Sequence, residues 1–171
     1  AALIEAVSVA VHAVKITPVQ LGDTGVVAGA GMIGLLTIQA LRAAGCPRVI
    51  AFDLDDARLK RALELGATDV LNSKTVDPVK SIREMTDGRG ADVAIECVGT
   101  TDPIRVLIQS VRKGGTVTMV GNVAPSIELP LQAVVTRQIR LQGSCASSGE
   151  YPDCINLMSK GVIKVEPLIT A

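Results

Sequence analysis

Apolar and polar residues follow two different spacings along the chain. Near its start, aliphatic residues recur every three or four positions, which predicts an amphipathic helix over 2–15: Leu3, Ile4, Val7, Val11 and Val14. Further along, short continuous runs rich in Val, Ile, Leu and Ala are too brief for helices and predict buried strands. These strands are predicted over 25–29, 49–53, 68–71, 93–96, 115–120 and 138–143.

Segments with helical patterning separate the predicted strands, and glycine or proline residues supply their stop signals. Helices are predicted over 31–44, 55–65, 78–86, 101–111, 131–136 and 150–159, with a polar connection over 122–130 and an extended tail over 162–169. Apolar strands that alternate with helices are typical of a parallel sheet covered on both faces. The sequence therefore predicts an α/β fold with a doubly wound parallel sheet of about six strands and helices on both faces.

Composition and charge narrow the classes of function. The chain has 171 residues, of which 48% are hydrophobic and 20% charged, and its 17 basic and 17 acidic residues give zero formal net charge. A nucleic-acid binder relies on excess positive charge, and only Phe52 and Tyr151 are available to stack on bases. Residues 24–41 carry no charge, but their glycines favour a strand, a turn and a helix over a membrane span. We therefore expect neither a nucleic acid nor a membrane as a partner.

The cysteines and the single histidine do not have the spacing of a metal site. The cysteines, none of them in a C-x-x-C pair, are Cys46, Cys97, Cys145 and Cys154, and His12 is the only histidine. Zinc sites usually draw their ligands from close pairs. We expect no complete zinc site within this chain, and reduced, mostly buried thiols of the kind found in cytoplasmic proteins.

A glycine motif follows the first predicted strand. Gly29, Gly31 and Gly34 form a G-x-G-x-x-G pattern that opens a predicted helix, and Asp53 ends the next strand 19 residues after Gly34. This context is the fingerprint of a Rossmann dinucleotide-binding fold, which places an acid about 20 residues further on. Gly29 is expected to make the turn, Gly31 to admit a pyrophosphate, and Gly34 to let the helix pack closely on the sheet.

The same motif predicts NAD as the cofactor. The first N–H groups of the helix, from Gly31, Met32 and Ile33, lack partners within the helix and suit a pyrophosphate. Asp53 can accept both hydroxyls of the adenine ribose and would repel the 2′-phosphate of NADP. Arg58 follows five residues later and offers a cation that weakens this preference.

Five short motifs occur in order along the chain. They are Ala-Leu-Ile-Glu at 2–5 with Ser8 and His12, Glu-Leu-Gly-Ala-Thr at 64–68, Glu-Cys-Val-Gly at 96–99, Lys-Gly-Gly at 113–115 with Val-Gly at 120–121, and Pro-Leu-Ile-Thr at 167–170. Together they resemble the medium-chain zinc-type alcohol and polyol dehydrogenases, with sorbitol (L-iditol) dehydrogenase-like members nearest. The resemblance implies that 1–171 is the NAD-binding domain of such an enzyme. Residues 1–20 would form a leading interdomain helix, and the catalytic zinc domain would be absent from this sequence.

The resemblance implies cofactor contacts beyond the glycine motif. Main-chain groups after the fourth, fifth and sixth strands would meet the cofactor, the last two beside the nicotinamide carboxamide: Cys97, Val98, Val120, Ser144 and Ala146. Arg58 would correspond to a basic residue beside the adenine ribose.

A zinc ion is implied only for the intact enzyme. Glu5 matches a glutamate near the catalytic zinc or its water in polyol-type members, so it is expected near the metal. Ala6 stands where the sorbitol type has Pro and the alcohol type has a zinc-binding Cys, so no cysteine ligand is available there. His12 lies two turns further along and is expected to be a hydrogen-bonded helix histidine rather than a ligand.

The implied activity is hydride transfer from a zinc-bound secondary alcohol to NAD, with this segment orienting the cofactor and inactive on its own. Two alternatives stay open, an NADPH-linked zinc-free quinone-oxidoreductase-like domain and a non-catalytic nucleotide-binding module. Related enzymes pair through the edge of this sheet, so residues 127–135 are a candidate homodimer surface. The motifs do not identify which alcohol or polyol is the substrate.

Overall fold

The computed structural model describes residues 3–169 and contains a six-stranded sheet with helices on both faces. The helices are α1 (Ile4–Ile16), α2 (Met32–Ala43), α3 (Asp56–Glu64), α4 (Pro78–Met85), α5 (Thr101–Ser110), α6 (Leu131–Thr136) and α7 (Tyr151–Ser159). The strands are β1 (Thr24–Ala28), β2 (Arg48–Asp53), β3 (Asp69–Asn72), β4 (Ala91–Glu96), β5 (Val111–Met119) and β6 (Arg140–Gly143).

The sheet has the strand order β3-β2-β1-β4-β5-β6, and each neighbouring pair is parallel. The chain builds outward from β1 to β3, then crosses back to place β4 on the other side of β1. This is the order of a Rossmann fold, with its switch point between β1 and β4. The predicted doubly wound parallel sheet is confirmed.

The strands carry apolar residues on both of their faces, which explains why helices cover both faces of the sheet. Val27 and Ile95 belong to the core that α1 and α2 cover, whereas Val26 and Ile50 belong to the core that α4 and α5 cover. Successive side chains of a strand point to opposite faces, so a continuous apolar run fills both cores. The carboxyl ends of the strands are thereby fixed along one edge of the sheet.

The boundaries of the last two strands differ from those predicted. β5 begins at Val111 rather than at 115, with an irregular register against the start of β4. β6 begins at Arg140 rather than at 138, because Gln138 has a positive φ of 52° and Ile139 donates its N–H to the Val134 carbonyl oxygen. Residues 138 and 139 therefore close the end of α6 instead of extending the sheet.

The predicted extended tail over 162–169 is wrong in part, because Glu166–Leu168 forms a 3₁₀ turn around a proline. Ile163 is buried. The Lys164 N–H donates to Gln39 Oε1 at 2.7 Å, and Gln39 Nε2 donates to the Lys164 carbonyl oxygen at 3.1 Å. The tail is thus tied to α2. Residue 2 of the predicted 2–15 helix and residue 170 of the 167–170 motif lie outside the described residues.

The four cysteines are free thiols in different environments. Cys46 and Cys154 are buried, Cys97 is partly covered, and Cys145 is exposed. Burial raises the pKa of Cys46 to about 11 and that of Cys97 to about 12. Over residues 3–169, no helix combines the length and the apolar content needed to cross a membrane.

Candidate functional site

The glycine loop joins the end of β1 to the start of α2 with little room for side chains. Gly29 has a φ of +91°, which favours glycine, and a β-carbon there would lie 2.7 Å from Val98 Cγ2. A β-carbon on Gly34 would overlap the Gly29 carbonyl oxygen. The first and last glycines of the motif therefore permit the turn and the close packing of α2.

Gly31 has the opposite environment, because a β-carbon there would meet nothing within 4 Å. It caps α2, and the first helical N–H to find a carbonyl is that of Leu35, which donates to the Gly31 oxygen. The N–H groups of Met32 and Ile33 precede that bond, so they have no carbonyl one turn back within the helix. A free helix N-terminus beside open space suits an anionic group such as a pyrophosphate.

A cavity of about 280 Å³ lies beside this helix end. Gly31 and Met32 line it from α2, and Arg58 and Arg61 line it from α3. The two guanidinium groups and the helix N-terminus outweigh the one carboxylate in the lining, that of Asp55, and give the cavity a positive character. Arg58 was expected at the adenine ribose, whereas Arg61 has no counterpart among the residues predicted from the sequence.

Asp53, at the end of β2, holds the glycine loop in place. Its Oδ2 accepts the Ala30 N–H at 2.7 Å, and its Oδ1 accepts the N–H groups of Leu54 at 2.7 Å and Asp55 at 3.1 Å. An ionised carboxylate offers about four acceptor positions, so capacity remains for a ligand hydroxyl. The structure places Asp53 at the glycine loop, as the motif requires.

A second cavity of about 460 Å³ opens on the other side of Asp53. Phe52, Val98 and Val106 give it apolar walls, while Asp53 and Arg58 supply polar groups at its rim. It lies between the carboxyl ends of β2 and β4, across the switch point of the sheet. Its size and its apolar lining with a few polar groups fit an adenine and its ribose.

The other predicted contact residues follow β4, β5 and β6 at the same edge of the sheet. Cys97 donates its N–H to the Ala28 carbonyl oxygen, Val120 donates to Glu96, and Ser144 donates to Met119. The residues predicted to meet the cofactor are therefore brought to one edge: Cys97, Val98, Val120, Ser144 and Ala146. Among residues 3–169, the Ser144 hydroxyl is a buried side-chain oxygen without a hydrogen-bond partner. Ala146 is exposed, with a φ of 53°.

Glu96 is a buried acid whose environment the sequence did not reveal. Its carboxylate accepts the Val98 N–H at 2.7 Å and the Gly99 N–H at 2.9 Å. Burial raises the pKa of Glu96, and the N–H groups of Gly99, Val98 and Gly121 oppose that shift. The only signal in the sequence was its place in the 96–99 motif.

The two residues considered in connection with zinc lie on α1. Glu5 is exposed in the first turn, and the described part of the chain holds no group of three or more His, Cys, Asp or Glu residues that could bind a metal. His12 makes a hydrogen bond between its Nδ1 and Glu150 Oε1 at 3.0 Å, which confirms the prediction of a hydrogen-bonded helix histidine.

Known proteins share this fold and sequence. The family described as zinc-binding dehydrogenase matches residues 32–160. Sorbitol dehydrogenase from Bacillus subtilis is 34% identical over 99% of this chain and 48% of the relative. The crystal structure of 2R,3R-butanediol dehydrogenase from Bacillus subtilis has a TM-score of 0.92 and 36% identity, covering 99% of this chain and 48% of that one.

A further solved structure is that of a putative zinc-binding dehydrogenase from Sinorhizobium meliloti bound to NADP. It has a TM-score of 0.89 and 26% identity, over 99% of this chain and 51% of that one. The chain spans about half the length of these relatives. Because the family match extends over more than half of the sequence and agrees with the fold and the glycine loop, the chain belongs to the zinc-binding dehydrogenase family.

Proposed function

We propose that the chain is the NAD(H)-binding domain of a zinc-dependent alcohol or polyol dehydrogenase that moves a hydride between a secondary alcohol and NAD. The observation that carries this proposal is the glycine loop tied to Asp53 through the Ala30 N–H, with open space at Gly31. The cavity at the α2 N-terminus fits the pyrophosphate, and the cavity between β2 and β4 fits the adenosine.

The choice of NAD over NADP rests on the negative charge of Asp53. A 2′-phosphate on the ribose would approach this carboxylate, and that repulsion is uncompensated unless a cation lies between the two groups. Arg58 lines both cavities and is such a cation, and the Sinorhizobium meliloti relative was solved with NADP. NADP is therefore the second candidate, and the two cofactors are separated by direct binding.

The chemistry is divided between this chain and the rest of the enzyme. Bound NAD supplies the hydride acceptor, and zinc, when bound in the intact enzyme, lowers the pKa of the alcohol. Residues 3–169 supply the fold that orients the cofactor, with Ser144 and Ala146 proposed beside the nicotinamide carboxamide. Glu5 is proposed to lie near the zinc in the intact protein, and the zinc ligands are assigned to sequence beyond this chain.

The substrate is proposed to be a small alcohol or polyol, because the similar enzymes are named for sorbitol and 2R,3R-butanediol, which both carry secondary alcohols. The enzyme is proposed to work in the cytoplasm, because its cysteines are free thiols and a reducing compartment keeps thiols in that form.

A homodimer through residues 127–135 and the neighbouring β6 edge is also proposed. β6 ends the sheet, and Leu131 and Val135 expose apolar side chains on α6, so this edge can pair with a second copy.

Titration of this chain with NADH and with NADPH, followed by nicotinamide fluorescence, tests the proposal. We expect saturable NADH binding, much weaker NADPH binding, and a loss of NADH affinity of about tenfold or more in Asp53→Ala, which removes a charged acceptor of ribose hydroxyls. Asp56→Asn is the matched control, because this exposed acid lies three residues away and binds Asn72 instead of the glycine loop. No binding of either cofactor by the unmodified chain would contradict the proposal, and tighter NADPH binding would favour the second candidate.

A further inference from the structure

Glu96 ends β4 with its side chain fully buried at the switch point of the sheet. Its Oε1 accepts the N–H groups of Val98 at 2.7 Å and Gly99 at 2.9 Å, and its Oε2 lies 3.0 Å from the Gly99 nitrogen. The segment after β4, residues 97–100 (the β4 loop), is therefore folded around this carboxylate.

The same residue holds the segment after β5, residues 120–124 (the β5 loop). The carbonyl oxygen of Glu96 accepts the N–H groups of Val120 at 2.9 Å and Gly121 at 3.1 Å. A β-carbon on Gly121 would lie 2.6 Å from Glu96 Oε2 and would overlap the Gly99 nitrogen. The Ala124 N–H donates to the Gly99 carbonyl oxygen at 2.9 Å. The two loops thus meet backbone to backbone, with the carboxylate between them.

The partners of the Glu96 carboxylate differ from those of Asp92, the other buried acid on β4. Asp92, near the start of β4, pairs with Arg89 at 2.8 Å and Arg112 at 2.7 Å. Within residues 3–169, Glu96 has no ion-pair partner, and its recorded contacts are main-chain N–H groups. A buried carboxylate without a cation carries a large desolvation penalty, so its hold on the β4 loop through Val98 and Gly99, together with its close approach to Gly121 of the β5 loop, needs a reason beyond packing.

The position of the two loops supplies that reason. A dinucleotide lies across the switch point, with its adenosine on the β2 side and its nicotinamide on the far side. Asp53 marks the adenosine side. The β4 loop borders the adenosine cavity through Val98 and Thr100, and the β5 loop follows it on the side of β4 that faces away from β1, toward the nicotinamide. Val98 and Val120 are both predicted to contact the cofactor, and both donate their N–H groups to Glu96, Val98 to the carboxylate and Val120 to the main-chain carbonyl oxygen.

We propose that Glu96 is a positioning residue for the nicotinamide half of the cofactor, acting by locking the β4 and β5 loops against each other. This inference rests on the proposed function. Glu96 itself touches no cofactor atom; it sets the spacing of the main-chain groups that do.

Glu96→Gln tests the proposal, because it removes the negative charge and replaces one carboxylate oxygen with an amide NH₂ group, a donor that faces the N–H groups of the β4 loop and cannot accept from them. Asp92→Asn is the matched control, because Asp92 is also a buried acid of β4 but lies near the start of the strand, whereas Glu96 lies at its end. Each variant is titrated with NADH and with AMP, which carries the adenosine half alone. Hydrogen exchange of residues 97–100 and 120–124 is measured without ligand.

For Glu96→Gln we expect NADH affinity to fall about tenfold, the cost of leaving one buried donor unsatisfied. AMP affinity should fall clearly less than NADH affinity, since Val98 and Thr100 are the residues of the two loops that line the adenosine cavity and the β5 loop does not line it. Exchange should rise in both loops. In Asp92→Asn, stability should fall while the ratio of NADH to AMP affinity is preserved.

Equal losses of NADH and AMP affinity, or unchanged NADH affinity, would overturn the positioning role while leaving the proposed function intact. Failure of the unmodified chain to bind NADH would instead overturn the proposed function and the positioning role with it. If Glu96→Gln does not fold, Glu96→Asp keeps the charge but shortens its reach, and the same selective loss of NADH affinity is expected.

Discussion

Asp53 Oδ2 accepts the Ala30 N–H at 2.7 Å, which ties the end of β2 to the middle of the glycine loop. The residue expected to select the cofactor therefore also shapes the loop that binds its pyrophosphate. A substitution at Asp53 removes a charge and a loop contact together. Stability and cofactor binding must therefore be measured side by side for every variant of this site, and substitutions of Gly31 and Gly34 separate the two effects.

Gly31→Ala and Gly34→Ala are expected to have opposite effects. A β-carbon at Gly31 meets open space, and its φ of −74° suits alanine, so the free energy of unfolding should change by less than about 0.5 kcal/mol. The same β-carbon stands where the pyrophosphate approaches, so NADH affinity should fall about tenfold or more. Gly34→Ala drives α2 against the Gly29 carbonyl and should cost about 1–3 kcal/mol of stability.

Urea unfolding and NADH titration of the two glycine variants, beside the unmodified chain, measure both effects. Unchanged NADH affinity in Gly31→Ala would place the pyrophosphate elsewhere. Full stability in Gly34→Ala would contradict the close packing of α2 on the loop.

Stability at low pH should depend on Glu150. This carboxylate bonds His12 Nδ1 at 3.0 Å and the Ser148 N–H, and Lys15 Nζ lies 3.6 Å away. The hydrogen bond from His12 is the main cause that lowers the pKa of Glu150 from 4.5 to about 2. A carboxyl with a depressed folded-state pKa stabilises the fold above its unfolded pKa, and this stabilisation is lost as the pH falls from about 4.5 toward 2.

The Glu150→Gln variant should therefore be less stable than the unmodified chain at neutral pH. Its free energy of unfolding should also fall less on acidification than that of the unmodified chain. Urea midpoints recorded from neutral pH down through this window compare the two. Glu84→Gln is the control, because this side chain is exposed and its contact with Lys80 is 3.9 Å. Parallel acid profiles for Glu150→Gln and the unmodified chain would show that the His12 contact does not persist in solution.

The thiols should report on cofactor binding. Cys145 is exposed and lies between Ser144 and Ala146, the residues proposed beside the nicotinamide, whereas Cys46 and Cys154 are buried. Cys97 is partly covered, and burial raises its pKa to about 12, which leaves little reactive thiolate near neutral pH. We expect one thiol to react rapidly with an aromatic disulfide reagent, and denatured protein to release four equivalents.

Saturating NADH should slow the rapid reaction of Cys145, while AMP should not. Cys145→Ser is the control and should abolish the rapid phase. A rapid phase that NADH leaves unchanged would count against the placement of the nicotinamide at the end of β6.

The glycine loop and its acid were predictable because their signal is local: a strand, three spaced glycines, a helix and an acid at a fixed distance. The roles of Glu96 and Glu150 were not, since each depends on contacts between distant segments. The Glu96 carboxylate bonds Val98 and Gly99 nearby, but it approaches Gly121 only because β5 lies next to β4, and Glu150 meets a histidine 138 positions away. A single acidic residue in a sequence does not indicate that its side chain is buried. The 3₁₀ turn of the tail was missed because a proline fits both extended and turn conformations.

The edge of the sheet should govern self-association. Leu131 and Val135 are 66% and 65% exposed on α6, one turn apart, and β6, which follows α6 in the chain, ends the sheet. Sedimentation velocity should show a dimer of the unmodified chain, and the double variant Leu131→Ser with Val135→Ser should be a monomer with a nearly unchanged unfolding temperature. Ile155→Ser is the control, an apolar side chain 57% exposed on α7, which packs against α1 on the other face of the sheet from α6. A monomer of the unmodified chain at high concentration, or a dimer that Ile155→Ser breaks and the α6 variant does not, would assign the interface to another surface.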